Sequence, residues 1–270
     1  MHVLSLIHLK GGVGKTISTI NIAYILASEY GKRVLIIDND KQGNASKFFG
    51  RYGETQKGTA ELLTEEGLNP FDIIHKTDFE NLEIITGNMN LITAERAILI
   101  DSSKPQQYRM KNTIEQLEAS GRYDFIIIDN PPDLGLCVLN ALAASDDVMI
   151  PIKIGRFEFE GIQMLSEQIE NLKSFNPKLT IAGGFATMHQ KNNVNRQGVE
   201  VLKDGVGIPM FETVIRKTVK VDETTFAGKP LQVYSKQCTA AKDYMELVKE
   251  YLDKMCQNLT QKGGMENGKV

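Results

Sequence analysis

Short apolar runs alternate with longer amphipathic segments along most of the chain. Seven of the short runs are predicted as strands: Val3–Leu9, Arg33–Asp38, Leu82–Thr86, Tyr123–Asp129, Asp147–Lys153, Thr180–Thr187 and Met210–Ile215. Several are almost entirely apolar, as expected for central strands that are covered on both faces. This order of elements is typical of a parallel sheet flanked by helices.

Amphipathic segments of helical length lie between these runs, with Gly or Pro near their ends. The predicted helices are Lys15–Glu29, Asn90–Ile100, Gln106–Ser120, Leu134–Ala144, Phe159–Phe175, Val194–Gly205 and Ala240–Cys256. The sequence therefore predicts an α/β fold with a single doubly wound, mostly parallel sheet. Since no Pro/Gly/Ser-rich linker interrupts the pattern, we expect one domain over residues 1–258 and a flexible polar tail over residues 259–270.

Composition narrows the function classes. The three cysteines lie far apart and form no CxxC pair, which argues against a disulfide framework and a sequence-local metal site. The amino terminus has neither a basic region nor a long apolar run, so we expect a cytoplasmic protein with no membrane partner. The net charge is −3, with −6 over residues 1–150 and +3 over residues 151–270. That asymmetry favours an anionic partner and ordinary solvated faces about equally.

The run LKGGVGKT follows an apolar strand and opens a helix. Such a loop directs backbone N–H groups and a helix N terminus toward phosphate oxygens. It departs from the ordinary Walker pattern because Leu9 replaces the first Gly and a second lysine, Lys10, precedes the paired glycines. We expect Lys15 to reach the β- and γ-phosphates and the Thr16 hydroxyl to hold Mg²⁺. The predicted nucleotide-binding residues are Lys10, Gly11, Gly12, Val13, Gly14, Lys15, Thr16 and Ile17.

Three carboxylates stand at or just after predicted strand ends. Asp38 and Asp40 close one strand and Asp129 closes another, which places them at the edge where open α/β sheets bind ligands. Asp38 and Asp129 are predicted on the magnesium side, and Asp40 is predicted to orient or deprotonate the attacking water. Residues 131–135, with two prolines and a glycine, are predicted to sense the γ-phosphate. For each aspartate alone, a helix cap or a turn is the alternative.

Further strings follow the glycine-rich loop in a recognisable order: DNDKQGNAS, YDFIIIDNPPDLG, FEFEGIQMLSEQI, TMHQKNNVNRQ and FETVIRKTVKVDETTFAGKPL. With them, nearly the whole chain resembles the ParA/Soj chromosome and plasmid partitioning ATPases. These belong to the deviant-Walker group of P-loop ATPases, which includes MinD and the nitrogenase iron protein.

The resemblance implies an ATPase that uses ATP and Mg²⁺, with Lys10, Lys15 and Asp40 as its catalytic residues. It implies an ATP-sandwich homodimer in which Lys10 neutralises phosphate charge on the partner's nucleotide, as an arginine finger does. It further implies that this dimer binds DNA without sequence preference, associates with the nucleoid, and is released when a ParB-like partner stimulates hydrolysis.

The resemblance also assigns a DNA-binding arginine to Arg196, and the nearby Arg216, Lys217 and Lys220 are predicted to extend the patch. Phosphate contacts of this kind give salt-sensitive, sequence-independent affinity. Without the resemblance, an ordinary solvated face is the better interpretation of these cations. The nucleobase contacts are left open, and residues from Pro209 onward are the candidates.

Three positions depart from the family pattern. Ile17 stands where a second Thr is common, Lys41 replaces a Pro, and Asn130 replaces a small residue after the Walker B aspartate. They bear on the hydrolysis rate and on the strength of the DNA-binding patch. The alternative function is a MinD-like or regulatory nucleotide switch that does not act on DNA. A MinD-like protein needs an amphipathic, basic membrane anchor, whereas residues 243–259 are acidic and mixed and are predicted to pack on the domain.

Overall fold

The computed structural model describes residues 1–155, 158–205 and 207–266. Its strands are β1 His2–Leu6, β2 Val34–Asp38, β3 Ile74–Lys76, β4 Leu82–Ile85, β5 Phe125–Asp129, β6 Asp147–Lys153 and β7 Thr180–Thr187. They form one sheet in the order β3-β4-β2-β5-β1-β6-β7. All neighbouring pairs are parallel except β3 with β4. The predicted fold class is therefore confirmed.

Helices connect and cover these strands. They are α1 Lys15–Ser28, α2 Asn44–Phe48, α3 Thr59–Thr64, α4 Asn90–Ile100, α5 Arg109–Ala119, α6 Leu136–Ala144, α7 Glu158–Leu172, α8 Asn193–Gly205, α9 Val219–Ala227, α10 Leu231–Tyr234 and α11 Thr239–Glu266. Short 3₁₀ turns occupy Pro70–Ile73 and Gln106–Tyr108, so the helix predicted from Gln106 begins as 3₁₀. The short elements α2, α3, β3, α9 and α10 were not predicted, because they are too brief to show a periodicity.

The last helix is longer than predicted. It was expected to end at Cys256, but α11 continues to Glu266 and enters the segment expected to be a polar tail; residues 267–270 lie outside the described part of the chain. The division into residues 1–258 and 259–270 stays a prediction. Tyr244, Leu247 and Tyr251 of α11 are buried in the core, so the described side chains of this segment pack on the domain as predicted.

The core lies on both faces of the sheet. Alternate residues of β2 point to opposite sides: Val34 and Ile36 join the cluster that includes α1 and α11, whereas Leu35 and Ile37 join the cluster that includes α3 to α6. A third cluster lies between β6, α6, α7 and α8. Burial on both faces explains why these strands are apolar throughout rather than alternating. In the part of the chain that the structure describes, no helix is both long and apolar enough to cross a bilayer.

The prediction of a strand over Met210–Ile215 is wrong. This segment pairs with β7 only at isolated points: Met210 forms a bridge with Gly184, and the Ile215 N–H donates to the Ala186 carbonyl at 2.8 Å. Between these points, the N–H groups of residues 212 and 213 donate to the Glu250 carboxylate of α11 at 2.8 and 3.0 Å. A side chain thus takes the place of a neighbouring strand, and no continuous ladder forms.

Strand register brings the predicted acidic residues to one place. Asp38 lies opposite Asp129 in the β2–β5 pair, and Leu6, the last residue of β1, lies opposite Asp129 on its other side. Because the strands are parallel, their carboxyl ends share one edge of the sheet. The loop after β1 therefore begins beside both carboxylates.

Candidate nucleotide-binding site

The loop between β1 and α1 surrounds the ammonium group of Lys15. Gly14 immediately precedes α1 with φ at 94°, a conformation that glycine adopts without strain. Lys15 Nζ donates hydrogen bonds of 3.1 Å to the carbonyl oxygens of His8 and Lys10. Burial lowers the pKa of Lys15, and the Asp129 carboxylate opposes that shift. A cation therefore lies inside a glycine-rich loop that leads into a helix N terminus, an arrangement suited to phosphate oxygens.

Two side chains outside the glycine-rich run anchor this loop. His8 is buried and its Nδ1 accepts the Lys10 N–H at 2.9 Å, while the Thr187 hydroxyl of β7 donates to the Val13 carbonyl at 2.8 Å. Burial lowers the pKa of His8 to about 4, and the Lys15 and Lys10 cations add to the effect. Neither anchor was predicted from the sequence. The only sequence signal for His8 was its position two residues before Lys10, and no sequence signal pointed to Thr187.

Asp129 is buried at the end of β5, facing α1. One carboxylate oxygen accepts a hydrogen bond of 3.3 Å from the Thr19 hydroxyl, and the Thr16 side chain is close enough to this carboxylate to lower its pKa. The other oxygen, Oδ2, is buried with no hydrogen-bond partner among the described residues. Burial raises the pKa of the Asp129 carboxyl, and the Asp38 carboxylate raises it further. A buried carboxylate oxygen in this state calls for a cation or an ordered water.

The two aspartates that follow β2 differ in their contacts. Asp38 Oδ2 accepts the backbone N–H and the hydroxyl of Ser46 at 2.8 and 2.6 Å, and burial nevertheless raises the pKa of Asp38. Asp40 lines the cavity beside the loop, and its Oδ1 accepts the Gln42 N–H at 2.9 Å. Asp38 therefore fixes α2 to the end of β2, whereas Asp40 faces the open space.

The site fits a Mg²⁺ ion that binds together with a nucleotide. No cluster of three or more His, Cys, Asp or Glu side chains suited to a metal occurs within the described residues. Magnesium at phosphate sites normally takes one or two protein ligands and completes its shell with water and phosphate oxygens. Thr16 and Asp129, with the latter's partnerless oxygen, supply such a set. The metal role of Asp38 stays a prediction, because its carboxylate already anchors α2.

A cavity of about 440 Å³ opens beside the loop, within the size range of small-molecule sites. One wall is the loop with Asp40, and the other comes from the segment after β7, α9 and α11. The lining residues of that second wall include Ile215, Arg216, Lys217, Thr218, Val221, Asp222, Thr225 and Tyr244. Helix α9 was missed, although its ends are readable: the Thr218 side chain caps its first turn, and Gly228 closes it with φ at 61°.

Asn130, which departs from the family pattern, has a structural role in this chain. Its Nδ2 donates to the Leu6 carbonyl at 3.1 Å, and its Oδ1 accepts from Asn39 Nδ2 at 2.9 Å. Asn39 Nδ2 also donates to the Cys137 carbonyl at 2.9 Å. Both asparagines are buried. This network joins the ends of β1, β2 and β5 to α6. It therefore fixes the relative positions of the elements that carry Lys15, Asp38 and Asp129.

The other two departures lie at the cavity and its rim. Ile17 lines the cavity and packs partly against the core, so an apolar group stands where a hydroxyl is common. Lys41 Nζ lies 3.8 Å from an Asp133 oxygen, with both side chains about 40% exposed. An exposed pair at that distance contributes little stability, but it connects the loop after β2 to the loop after β5.

The four predicted DNA-binding cations lie near the end of β7 but differ in availability. Arg196 in the first turns of α8 and Lys217 are exposed. The main chain brings their segments together, because the Lys217 N–H donates to the His189 carbonyl at 2.9 Å. Arg216 instead forms an ion pair with Asp243, and Lys220 Nζ donates to Glu223 at 2.7 Å. Their predicted DNA contacts remain untested.

The strand, the glycine-rich loop with its enclosed lysine, the following helix and the buried aspartate at the neighbouring strand end define a P-loop nucleoside triphosphatase fold. The second lysine of the loop places it in the deviant-Walker class. A family model described as "AAA domain" matches residues 1–181.

Comparison with characterised relatives specifies the family. The chain is 34% identical to the chromosome partitioning protein ParA of Caulobacter vibrioides (strain NA1000 / CB15N), over 94% of this chain and 95% of that protein. It is 34% identical to the sporulation initiation inhibitor protein Soj of Bacillus subtilis (strain 168), over 92% of this chain and 97% of that protein. The chain belongs to the ParA/Soj family of the deviant-Walker P-loop ATPases.

Solved structures agree with the fold. Cobyrinic acid a,c-diamide synthase from Mycobacterium smegmatis, with a bound ATP analogue and magnesium, superposes with a TM-score of 0.79 at 25% identity, covering 92% of this chain and 93% of that one. The septum site-determining protein MinD of Pyrococcus horikoshii OT3, in complex with Mg-ADP, gives a TM-score of 0.76 at 23% identity, covering 94% and 97%.

Proposed function

We propose that this protein is an ATP-hydrolysing DNA-partitioning switch. The observation that carries the proposal is the enclosure of Lys15 by the glycine-rich loop, together with the buried, partnerless oxygen of Asp129, whose carboxylate acts electrostatically on Lys15. The loop and Lys15 bind the phosphates of ATP, and the cavity beside them accepts the nucleoside. Thr16 and Asp129 would hold the Mg²⁺, and the bound ion would supply positive charge to the transferring phosphate.

Asp40 is the residue proposed to act on water. It lines the cavity on the same wall as the loop, and its carboxylate is oriented by the Gln42 N–H. Such a carboxylate accepts a hydrogen bond from the attacking water and sets its direction toward the terminal phosphorus. Replacing Asp40 removes that orientation but leaves the loop, Lys15 and Asp129 in place. Binding of ATP should therefore survive the loss of hydrolysis.

A second subunit is proposed to complete the site. Lys10 begins the glycine-rich loop, where its main chain is held by His8 and Lys15. In the family arrangement, Lys10 of each subunit reaches the nucleotide of the other, as a cation supplied in trans. Binding of ATP would then drive formation of a homodimer, and hydrolysis would weaken it.

The ATP-bound dimer is proposed to bind DNA through the face that carries Arg196 and Lys217. Both are exposed, and the main chain near His189 brings their segments together. Contacts between these cations and DNA phosphates should make the affinity sequence-independent. Because dimerisation doubles the number of such cations, the affinity should also fall steeply with salt. A ParB-like partner that stimulates hydrolysis would release the protein from DNA. This cycle suits a role in DNA partitioning on the nucleoid, and the ParA relative is named a chromosome partitioning protein.

The test is a gel shift on non-specific duplex DNA with ATP, ADP or no nucleotide. The variants are Arg196→Ala and Asp40→Ala. The matched control is Arg51→Ala, which removes a surface arginine near β3, at the opposite edge of the sheet from β7. We expect ATP alone to promote binding, Arg196→Ala to abolish it, Asp40→Ala to prolong it and Arg51→Ala to leave it unchanged.

Two results would redirect the assignment. If the wild-type protein ignores DNA in every nucleotide state while binding ATP, the partitioning role is wrong and a regulatory or membrane-linked ATPase switch is the better account. If it fails to bind ATP at all in the presence of Mg²⁺, the nucleotide site itself is misassigned.

A further inference from the structure

Arg216 lines the nucleotide cavity, yet its guanidinium is committed to a carboxylate of another element. Its Nε donates to both oxygens of Asp243, at 3.1 and 2.9 Å, and its Nη2 donates to Oδ1. The Arg216 backbone N–H adds a fourth bond, of 2.9 Å, to Asp243 Oδ2. One carboxylate therefore fixes both the side chain and the main chain of the same residue, which restrains the backbone more than a side-chain pair alone.

The environment of this pair makes it a firm contact. The Asp243 side chain is only 10% exposed, whereas the Arg216 side chain is 38% exposed. A nearly buried carboxylate requires its partner, since removing one member leaves an uncompensated charge. The guanidinium is accordingly a poor candidate for a phosphate of DNA, because reaching one would require giving up Asp243. This differs from Lys217, which is exposed in the adjacent position.

The pair also lies at the junction of the two cavity walls. Next to Asp243 in α11, the Tyr244 hydroxyl bonds to the Ser18 hydroxyl of α1 at 2.9 Å, and Tyr244 itself lines the cavity. Asp243 therefore holds the wall that contains residues 215–218, while Tyr244 holds the helix that follows the phosphate loop. The first turns of α11 set the distance between the two walls.

We infer that Arg216 and Asp243 form a clamp that positions the wall of residues 215–218 for the nucleotide, and that Arg216 is a positioning residue for ATP rather than a DNA contact. This inference rests on the proposed binding of ATP in the cavity. It gives two neighbouring cations different roles: Arg216 positions the cavity wall for the nucleotide, and Lys217 contacts the anionic partner.

The chain offers a closely matched control. Arg33 contacts Asp124 in the same pattern, with its backbone N–H at 2.8 Å, its Nε at 3.1 Å and its Nη2 at 2.7 Å from the carboxylate oxygens. That pair lies just before β2 and β5, at the amino ends of the strands, whereas the cavity lies at their carboxyl ends. Arg33→Ala removes an ion pair of the same bonding pattern, with its carboxylate more exposed than that of Asp243, without touching the site.

The experiment measures the affinity for a fluorescent ATP analogue with Mg²⁺ in Arg216→Ala, Arg216→Lys, Asp243→Asn and Arg33→Ala. We expect about tenfold weaker binding, or about 1.4 kcal/mol, in the first three variants and no change in Arg33→Ala. Arg216→Lys matters because it keeps the charge but loses the planar fork. DNA binding is then compared at ATP concentrations that saturate each variant, where Arg216→Ala should bind as well as wild type and Lys217→Ala should not.

The opposite pattern would overturn the clamp. If Arg216 were a DNA contact, Asp243→Asn would release it and tighten DNA binding, Arg216→Lys would keep DNA binding, and ATP affinity would not change in any variant. If all four variants lose ATP affinity equally, the effect is one of general stability and the clamp is again refuted. If the wild-type protein does not bind the analogue, both the proposed function and the clamp fail. Failure of the clamp alone is distinguished from this outcome by a wild-type protein that binds the analogue.

Discussion

Protonation of His8 should make the folded protein less stable at mildly acidic pH. The ordinary pKa of histidine is 6.5, and burial beside two lysines lowers that of His8 to about 4. Between these two values the unfolded chain binds a proton that the folded protein does not. The stabilising contribution is therefore fully present above pH 6.5 and is lost as the pH falls toward 4.

The magnitude follows from the two pKa values. Lowering the pH from 7.5 to 5 should remove about 2 kcal/mol of folding free energy through His8 alone. His8→Asn should abolish this part of the pH dependence, because asparagine does not titrate and its Oδ1 can accept the Lys10 N–H in place of Nδ1. His8→Ala removes the acceptor as well and should be less stable at both pH values.

The assay is urea denaturation of the nucleotide-free protein at pH 7.5 and pH 5. Other groups also titrate in this interval, so the decisive quantity is the difference between wild type and His8→Asn. His75→Asn, which removes a histidine of the edge strand β3, is the control and should retain the wild-type loss. Equal losses in wild type and His8→Asn would refute the reasoning, since His8 would then not be buried as a neutral group.

Three further changes test the site. Gly14→Ala should abolish nucleotide binding in a titration with an ATP analogue, because φ of 94° strains any residue with a Cβ; unchanged affinity would mean that the loop is not held in this form. Asn130→Ala should cost about 1–3 kcal/mol in urea denaturation, because it strips buried groups of their partners, whereas a loss within error would show that Asn39 finds other acceptors. Mg²⁺ removal by EDTA should reduce the rise in Tm that ATP produces in wild type, but not in Asp129→Asn, which should already lack the metal-dependent part. A variant that responds to EDTA as wild type does would exclude Asp129 from the metal site.

The sequence by itself determined the phosphate loop and the aspartates at the carboxyl ends of the strands. A strand, a glycine-rich run and a helix are local features, and so is an aspartate that ends an apolar run. Their local patterns therefore placed Lys15, Asp38 and Asp129 on elements that the structure contains. Parallel strands share the direction of their carboxyl ends, so the sequence placed the aspartates at one end of the sheet. That Asp38 and Asp129 meet follows from the pairing of β2 with β5.

Only the tertiary structure decided which groups face one another. The carboxylates of Glu250 and Asp243 take up backbone N–H groups near residues 212–216, and no local pattern signals partners 27 to 38 residues away. For that reason the segment Met210–Ile215 was predicted as a strand, and Arg216 as a cation for DNA. Hydrophobic periodicity reports burial within one element, whereas pairing between polar groups depends on how distant elements pack, and that is settled when the chain folds.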